Sequence, residues 1–169
     1  MRRIGHRFAV ATLLLASAIS ACSAESSRST GTADDLGYAT VETAATAYET
    51  AKRDAASQGK RILVVAGGDW CRWCHVLDRF LREHRETDER LHRGFVVVKL
   101  AVGENGLGAD PLEHLPSAQG YPHFWVLSPD GALIASVNTA PLERGDNDYD
   151  TAAFARFLDA YASSPNGGR

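Results

Sequence analysis

Cys71 and Cys74 stand in the run Gly68-Asp69-Trp70-Cys71-Arg72-Trp73-Cys74-His75. Two thiols separated by two residues can close into a disulfide and open again without dismantling a fold. The apolar stretch Ile62-Leu63-Val64-Val65-Ala66 precedes them, so the pattern reads as a strand that delivers a C-x-x-C to the start of a helix. A helix N-terminus presents unpaired N–H groups and the positive end of its dipole. Together with the charge of Arg72, that favours the thiolate of Cys71. Each unit of pKa depression corresponds to about 1.4 kcal/mol. Cys71 therefore reads as the exposed attacking thiol. Cys74, one turn further in, reads as the more buried thiol that resolves a mixed disulfide.

The same residues admit rival chemistries. Cys71-x-x-Cys74-His75 is also the attachment pattern of c-type haem, with His75 as proximal ligand. A distal Met is not available, because the single Met is Met1. A bis-His site would need His84, His92, His114 or His123. Cys71, Cys74 and His75 could also join a distant His around zinc or copper. However, no second C-x-x-C or His pair with zinc-finger spacing exists. Asp146, Asp148 and Asp150 resemble the start of a calcium loop. Its sixth position is Thr151 rather than Gly and its twelfth is Phe157 rather than Glu, so they read as a solvated loop and a helix cap. A redox-inert binding module is a further alternative, against which the retention of both cysteines argues. The dithiol reading needs no cofactor and no metal, and none is expected.

The chain has 169 residues and three cysteines, with a formal net charge of −3. Arg2, Arg3 and Arg7 followed by the apolar run from Phe8 to Ile19 read as a secretory signal, too short to span a bilayer. Ile19-Ser20-Ala21-Cys22 resembles a bacterial lipobox, which makes 1–21 a lipoprotein signal peptide and Cys22 the lipidated first residue. The signal holds three arginines and no acid, so the mature chain is more acidic than the whole. That gives no reason to expect nucleic acid. Ser23 leans towards the outer membrane in a Gram-negative cell, since Asp there would favour retention at the inner one. Residues 22–37 read as a flexible tether, with a reach of roughly 20 Å for about a dozen residues. Residues 163–169 read as a disordered tail. An exported protein would be expected to use cysteines as staples. This pair closes too small a loop to stabilise much, so reactivity explains it better.

The elements that must position the pair are legible in outline. Val41 to Ala56 has helix-forming composition and ends at Gln58-Gly59-Lys60. Arg61 to Ala66 reads as a strand buried on both faces. The helix after Cys71 turns Trp73, Val76, Leu77, Phe80 and Leu81 inward and Asp78, Arg79, Arg82 and Glu83 outward. Arg85 to Arg93 reads as solvated helix and loop. Phe95 to Val102 is a second strand carrying Lys99. Asp110-Pro111 looks like the start of a short helix over Leu112 to Leu115. Phe124 to Leu127 is a third strand, Ser128-Pro129-Asp130-Gly131 a turn, and Ala132 to Val137 the returning strand. Asp150 can cap a last helix over Thr151 to Tyr161. The order predicts an α/β domain, with a central mixed sheet flanked by helices.

That order, with Trp70-Cys71-Arg72-Trp73-Cys74 after the first strand and Gly120-Tyr121-Pro122 before the third, resembles the thioredoxin-like family over roughly 38–162. The match is to exported members with a W-C-x-W-C motif, similar to the C-terminal domain of the membrane thiol:disulfide interchange reductase. The run Cys-x-Trp-Cys-His-Val also resembles a second thioredoxin-like family, typified by a spermatogenesis-associated protein. The resemblance implies a thiol:disulfide oxidoreductase, with a reductase as the expected direction. It implies exported proteins with disulfides or thiols as substrates, and a membrane or periplasmic redox donor. It places a cis-proline at Pro122 facing the dithiol. A substrate cleft would be lined by Trp70, Arg72, Trp73, Tyr121 and Pro122. By the same resemblance, Val65 stands where thioredoxin has a buried acid, Arg72-Trp73 replaces its central dipeptide, and Lys99 matches a lysine near its active site.

Overall fold

A computed structural model describes residues 36–103 and 113–163 of the chain. The signal segment, Cys22 and Asp110-Pro111-Leu112 lie outside the described residues.

The first helix, α1, runs Val41–Gln58 and buries Ala44, Tyr48, Ala51 and Ala55. These residues recur at helical spacing, and the three alanines among them let the helix lie close to a sheet. Gly59 ends α1 at φ 65, a left-handed cap that glycine adopts without a Cβ penalty. Strand β1, Arg61–Gly67, is buried from Ile62 onward. It pairs in parallel with β2, Phe95–Ala101, and antiparallel with β3, His123–Leu127. The returning strand β4, Leu133–Asn138, pairs with β3 and completes the order β2-β1-β3-β4. This is the mixed sheet expected from the sequence.

Alternation along the central strands sorts two cores. Leu63 and Val65 of β1 and Phe124 and Val126 of β3 face α2 (Arg72–Glu83), α3 (Arg85–Gly94) and α4 (Thr151–Tyr161). Ile62, Val64, Ala66, Trp125 and Leu127 face α1. Phe154, fully buried, meets Phe80 and Phe157 at ring separations of 5.3 and 5.8 Å. Asp150 caps α4 by accepting the Ala153 N–H at 2.6 Å, as the sequence indicates.

Three local readings change. Residues 85–94 form a continuous helix, because Thr87, Leu91 and Gly94 supply a buried stripe that the surrounding charges hide. Of the expected short helix, Glu113, His114 and Leu115 form a turn and bend instead. A small hairpin of β5, Glu143–Arg144, and β6, Asp148–Tyr149, turns at Gly145 (φ 62), where a solvated loop was expected. Leu36 is buried, and Ser163 accepts the Arg61 backbone N–H through Oγ at 2.9 Å. Among the described residues no helix is long and apolar enough to cross a membrane.

Candidate active site

The site is assembled at one end of the sheet. Strand β1 ends at Gly67, and the turn Gly68-Asp69-Trp70 closes when the Cys71 N–H donates to the Gly68 carbonyl at 3.0 Å. Cys71 is the N-cap of α2. Its Sγ accepts the Cys74 N–H at 3.2 Å, satisfying one of the donors that a helix start leaves unpaired. Cys71 and Cys74 are joined as a disulfide, with Cα atoms 5.2 Å apart.

Both sulfurs are covered: Cys71 is 4% exposed and Cys74 2%. Cys71 does not face open solvent in this oxidised state, contrary to the sequence reading. Leu36 packs on the disulfide together with Tyr38, Trp73 and Tyr121. Leu36 is held there by its N–H donating to Asp69 Oδ1 at 3.0 Å and its carbonyl accepting from Lys99 Nζ at 2.9 Å. Ala39 extends the attachment by bridging to Leu100 of β2.

Trp70 forms the rim. It is 42% exposed, meets Tyr121 edge-on at 5.5 Å, and donates from Nε1 to the Val102 carbonyl at 2.8 Å. Trp73 is half-buried and packs edge-on against Tyr149 at 5.6 Å. Arg72 is exposed, but its guanidinium donates to the Asp146 carbonyl at 2.7 Å. About two turns along the same helix face, Arg79 donates to the Asn147 carbonyl at 2.6 Å. The two arginines fasten the hairpin turn to α2, so the charge of Arg72 is shared with that turn.

The Tyr121-Pro122 peptide bond is cis, and Pro122 is buried. The register Ala66↔His123 sets Pro122 beside the end of β1. There Gly67 touches the dithiol so closely that a Cβ would overlap Cys74 Sγ and stand 2.8 Å from Tyr38 Oη. Trp70, Cys71, Trp73, Cys74 and Tyr121 are thus gathered in one place, with Pro122 immediately before β3.

Sequence reasoning missed the layer beneath. Asp78, expected to face outward, is half-buried. It pairs with Lys99 Nζ at 3.3 Å and with Arg82. Its position four residues after Cys74 was the available signal, since i and i+4 share a helix face. Lys99 also lies 5.7 Å from the Tyr38 ring centroid. Burial first, and then Tyr149 and Asp69, push the Tyr38 hydroxyl pKa upward. His75 pairs its Nε2 with the Asp69 carbonyl at 2.7 Å. Among the described residues, no group of three or more His, Cys, Asp or Glu side chains is placed to hold a metal ion.

Residues 43–129 match the model of a family described as thioredoxin-like. The chain belongs to the thioredoxin-like family. None of the curated proteins matches the sequence. The crystal structure of a disulphide isomerase from Xylella fastidiosa Temecula1 is similar at 25% identity, covering 69% of this chain and 90% of that one, with a TM-score of 0.53. The fold is thioredoxin-like: a four-stranded mixed sheet with flanking helices. A thioredoxin-like domain with a paired Cys71 and Cys74 supports thiol–disulfide oxidoreductase chemistry in general.

Proposed function

We propose that the protein is an exported, lipid-anchored thiol:disulfide oxidoreductase that reduces disulfides of other exported proteins. The observation that carries this reading is the Cys71–Cys74 disulfide at the N-terminus of α2, with Cys71 as its cap. In the reduced protein the Cys71 thiolate attacks a substrate disulfide. One substrate sulfur leaves, and a mixed disulfide remains. Cys74 then attacks Cys71 Sγ, the second substrate sulfur leaves, and the domain is oxidised. Two electrons pass to the substrate, and a membrane or periplasmic redox donor returns them. Trp70 and Tyr121 wall the approach, and the Tyr121 backbone offers pairing to an extended substrate chain. Cys22 supplies the lipid anchor.

Supporting the reading are the family, the site geometry and the lipobox-like Ile19-Ser20-Ala21-Cys22. The test is insulin reduction driven by dithiothreitol, alongside titration of the pair in glutathione buffers. The wild type should accelerate reduction and Cys71→Ser should not. Equal rates for the two would overturn the reading. For the anchor, Cys22→Ser should lose labelling by fatty acid. A second reading, isomerisation, is favoured by the similarity to the Xylella fastidiosa disulphide isomerase. Reactivation of scrambled ribonuclease without an added reductant would select it.

A further inference from the structure

Leu36 sits on the disulfide as one residue of a bound peptide would. Its side chain is buried against Cys71 and Cys74. Its N–H donates to Asp69 Oδ1 at 3.0 Å and its carbonyl accepts from Lys99 Nζ at 2.9 Å. Both backbone polar groups of one residue are therefore read by side chains, one from the turn ahead of α2 and one from β2. Beyond Gly37 (φ 72), Ala39 continues the attachment through the backbone. Its N–H donates to the Lys99 carbonyl and its carbonyl accepts from Ala101, each at 2.9 Å. Exchange brings a substrate sulfur to about 2 Å from Cys71 Sγ, yet Cys71 is 4% exposed. One of the side chains packed there has to give way. Trp73 belongs to α2 and is braced by Tyr149, and Tyr121 is braced by Trp70 ahead of the cis-proline. Leu36 belongs to no helix or strand, and its two side-chain hydrogen bonds and its apolar contact hold it in place.

We propose that Leu36 occupies a substrate subsite: a seat for a bulky apolar residue beside the reacting cysteine of an extended peptide, with Asp69 and Lys99 reading that residue's backbone. The segment ahead of α1 is then a built-in competitor that the substrate displaces. This names the substrate class of the thiol–disulfide exchange reading above and rests on it. A seated substrate residue returns an N–H donor to Asp69 and a carbonyl acceptor to Lys99, so displacement exchanges hydrogen bonds rather than losing them. The apolar contact with the dithiol is exchanged in the same way, and a polar residue in the seat forfeits it. Main-chain hydrogen bonds supply binding to an extended chain, and the seat for one side chain supplies selection.

The test mixes the reduced full-length protein with a short peptide disulfide carrying Leu beside each cysteine, or with the same peptide carrying Ser there. Release of peptide thiol is followed at rising peptide concentration. The wild type should favour the Leu peptide by about tenfold in second-order rate constant, a comparison that needs no variant to fold. Leu36→Ser should lower the half-saturating concentration of the Leu peptide by about tenfold, because the competitor has left the seat, and should keep the preference for Leu over Ser. A side chain that only stabilises the fold would not tighten substrate binding when removed. Equal rate constants for the two peptides in the wild type, or an unchanged or raised half-saturating concentration in Leu36→Ser, would overturn the proposal. So would release of thionitrobenzoate from 5,5′-dithiobis(2-nitrobenzoate) with neither peptide reduced. No reaction with the peptides or with that reagent would instead overturn the exchange chemistry itself.

Discussion

Thr139 Oγ1 donates a hydrogen bond of 2.7 Å to the carbonyl of Pro122, and both residues are buried. The bond ties the residue after β4 to the cis-proline just ahead of β3. Thr139→Val keeps the shape and removes the donor, leaving the Pro122 carbonyl buried and unpaired. Such a group costs about 1 to 3 kcal/mol. Urea unfolding should show a lower midpoint with an unchanged slope, and an unshifted midpoint would remove this bond from the account.

Leu36 lies over the disulfide and is 8% exposed. Leu36→Ala should uncover Cys71. Alkylation of the reduced protein by iodoacetamide should run several-fold faster, while the fold loses about 2 kcal/mol of stability. An unchanged alkylation rate would show that the cover belongs to the disulfide state alone.

His123 is buried at 1% exposure, with Nε2 paired to Ser136 Oγ at 2.9 Å and Nδ1 without a partner among the described residues. Burial pushes its pKa below the usual histidine value. The unfolded chain therefore binds the proton more readily than the folded one. Its contribution to stability is complete above about pH 6.5 and is lost as pH falls towards the depressed native value. Denaturation midpoints taken from about pH 7.5 to 5 should decline, and His123→Gln should flatten the decline. Equal slopes in the two proteins would move the cause elsewhere.

The frame of the domain was legible because its signals are local and strong. The apolar run before Cys71, the Pro-Asp-Gly turn at 129–131 and the Asp150 cap each specify one structure. Pro122 was reached through family resemblance. What was hidden depends on contacts between distant segments. The charged face of 85–94 conceals Thr87 and Leu91, which are recognisable as buried only once β2 and α4 are in place. Leu36 reads as part of a tether until Asp69 and Lys99 are seen to hold it. Asp78 reads as a solvent-facing acid until β2 brings Lys99 beside it.

The most direct test of the account is trapping in the oxidising compartment. Cys74→Ser should accumulate mixed disulfides with substrate proteins through Cys71, because the resolving thiol is gone, and Cys71→Ser should accumulate none. Non-reducing gels, with release of the partners by dithiothreitol, would read the result. Accumulation in Cys71→Ser rather than Cys74→Ser would reverse the roles of the two thiols. Accumulation in neither, with full activity of the double variant, would contradict disulfide exchange as the function of this site.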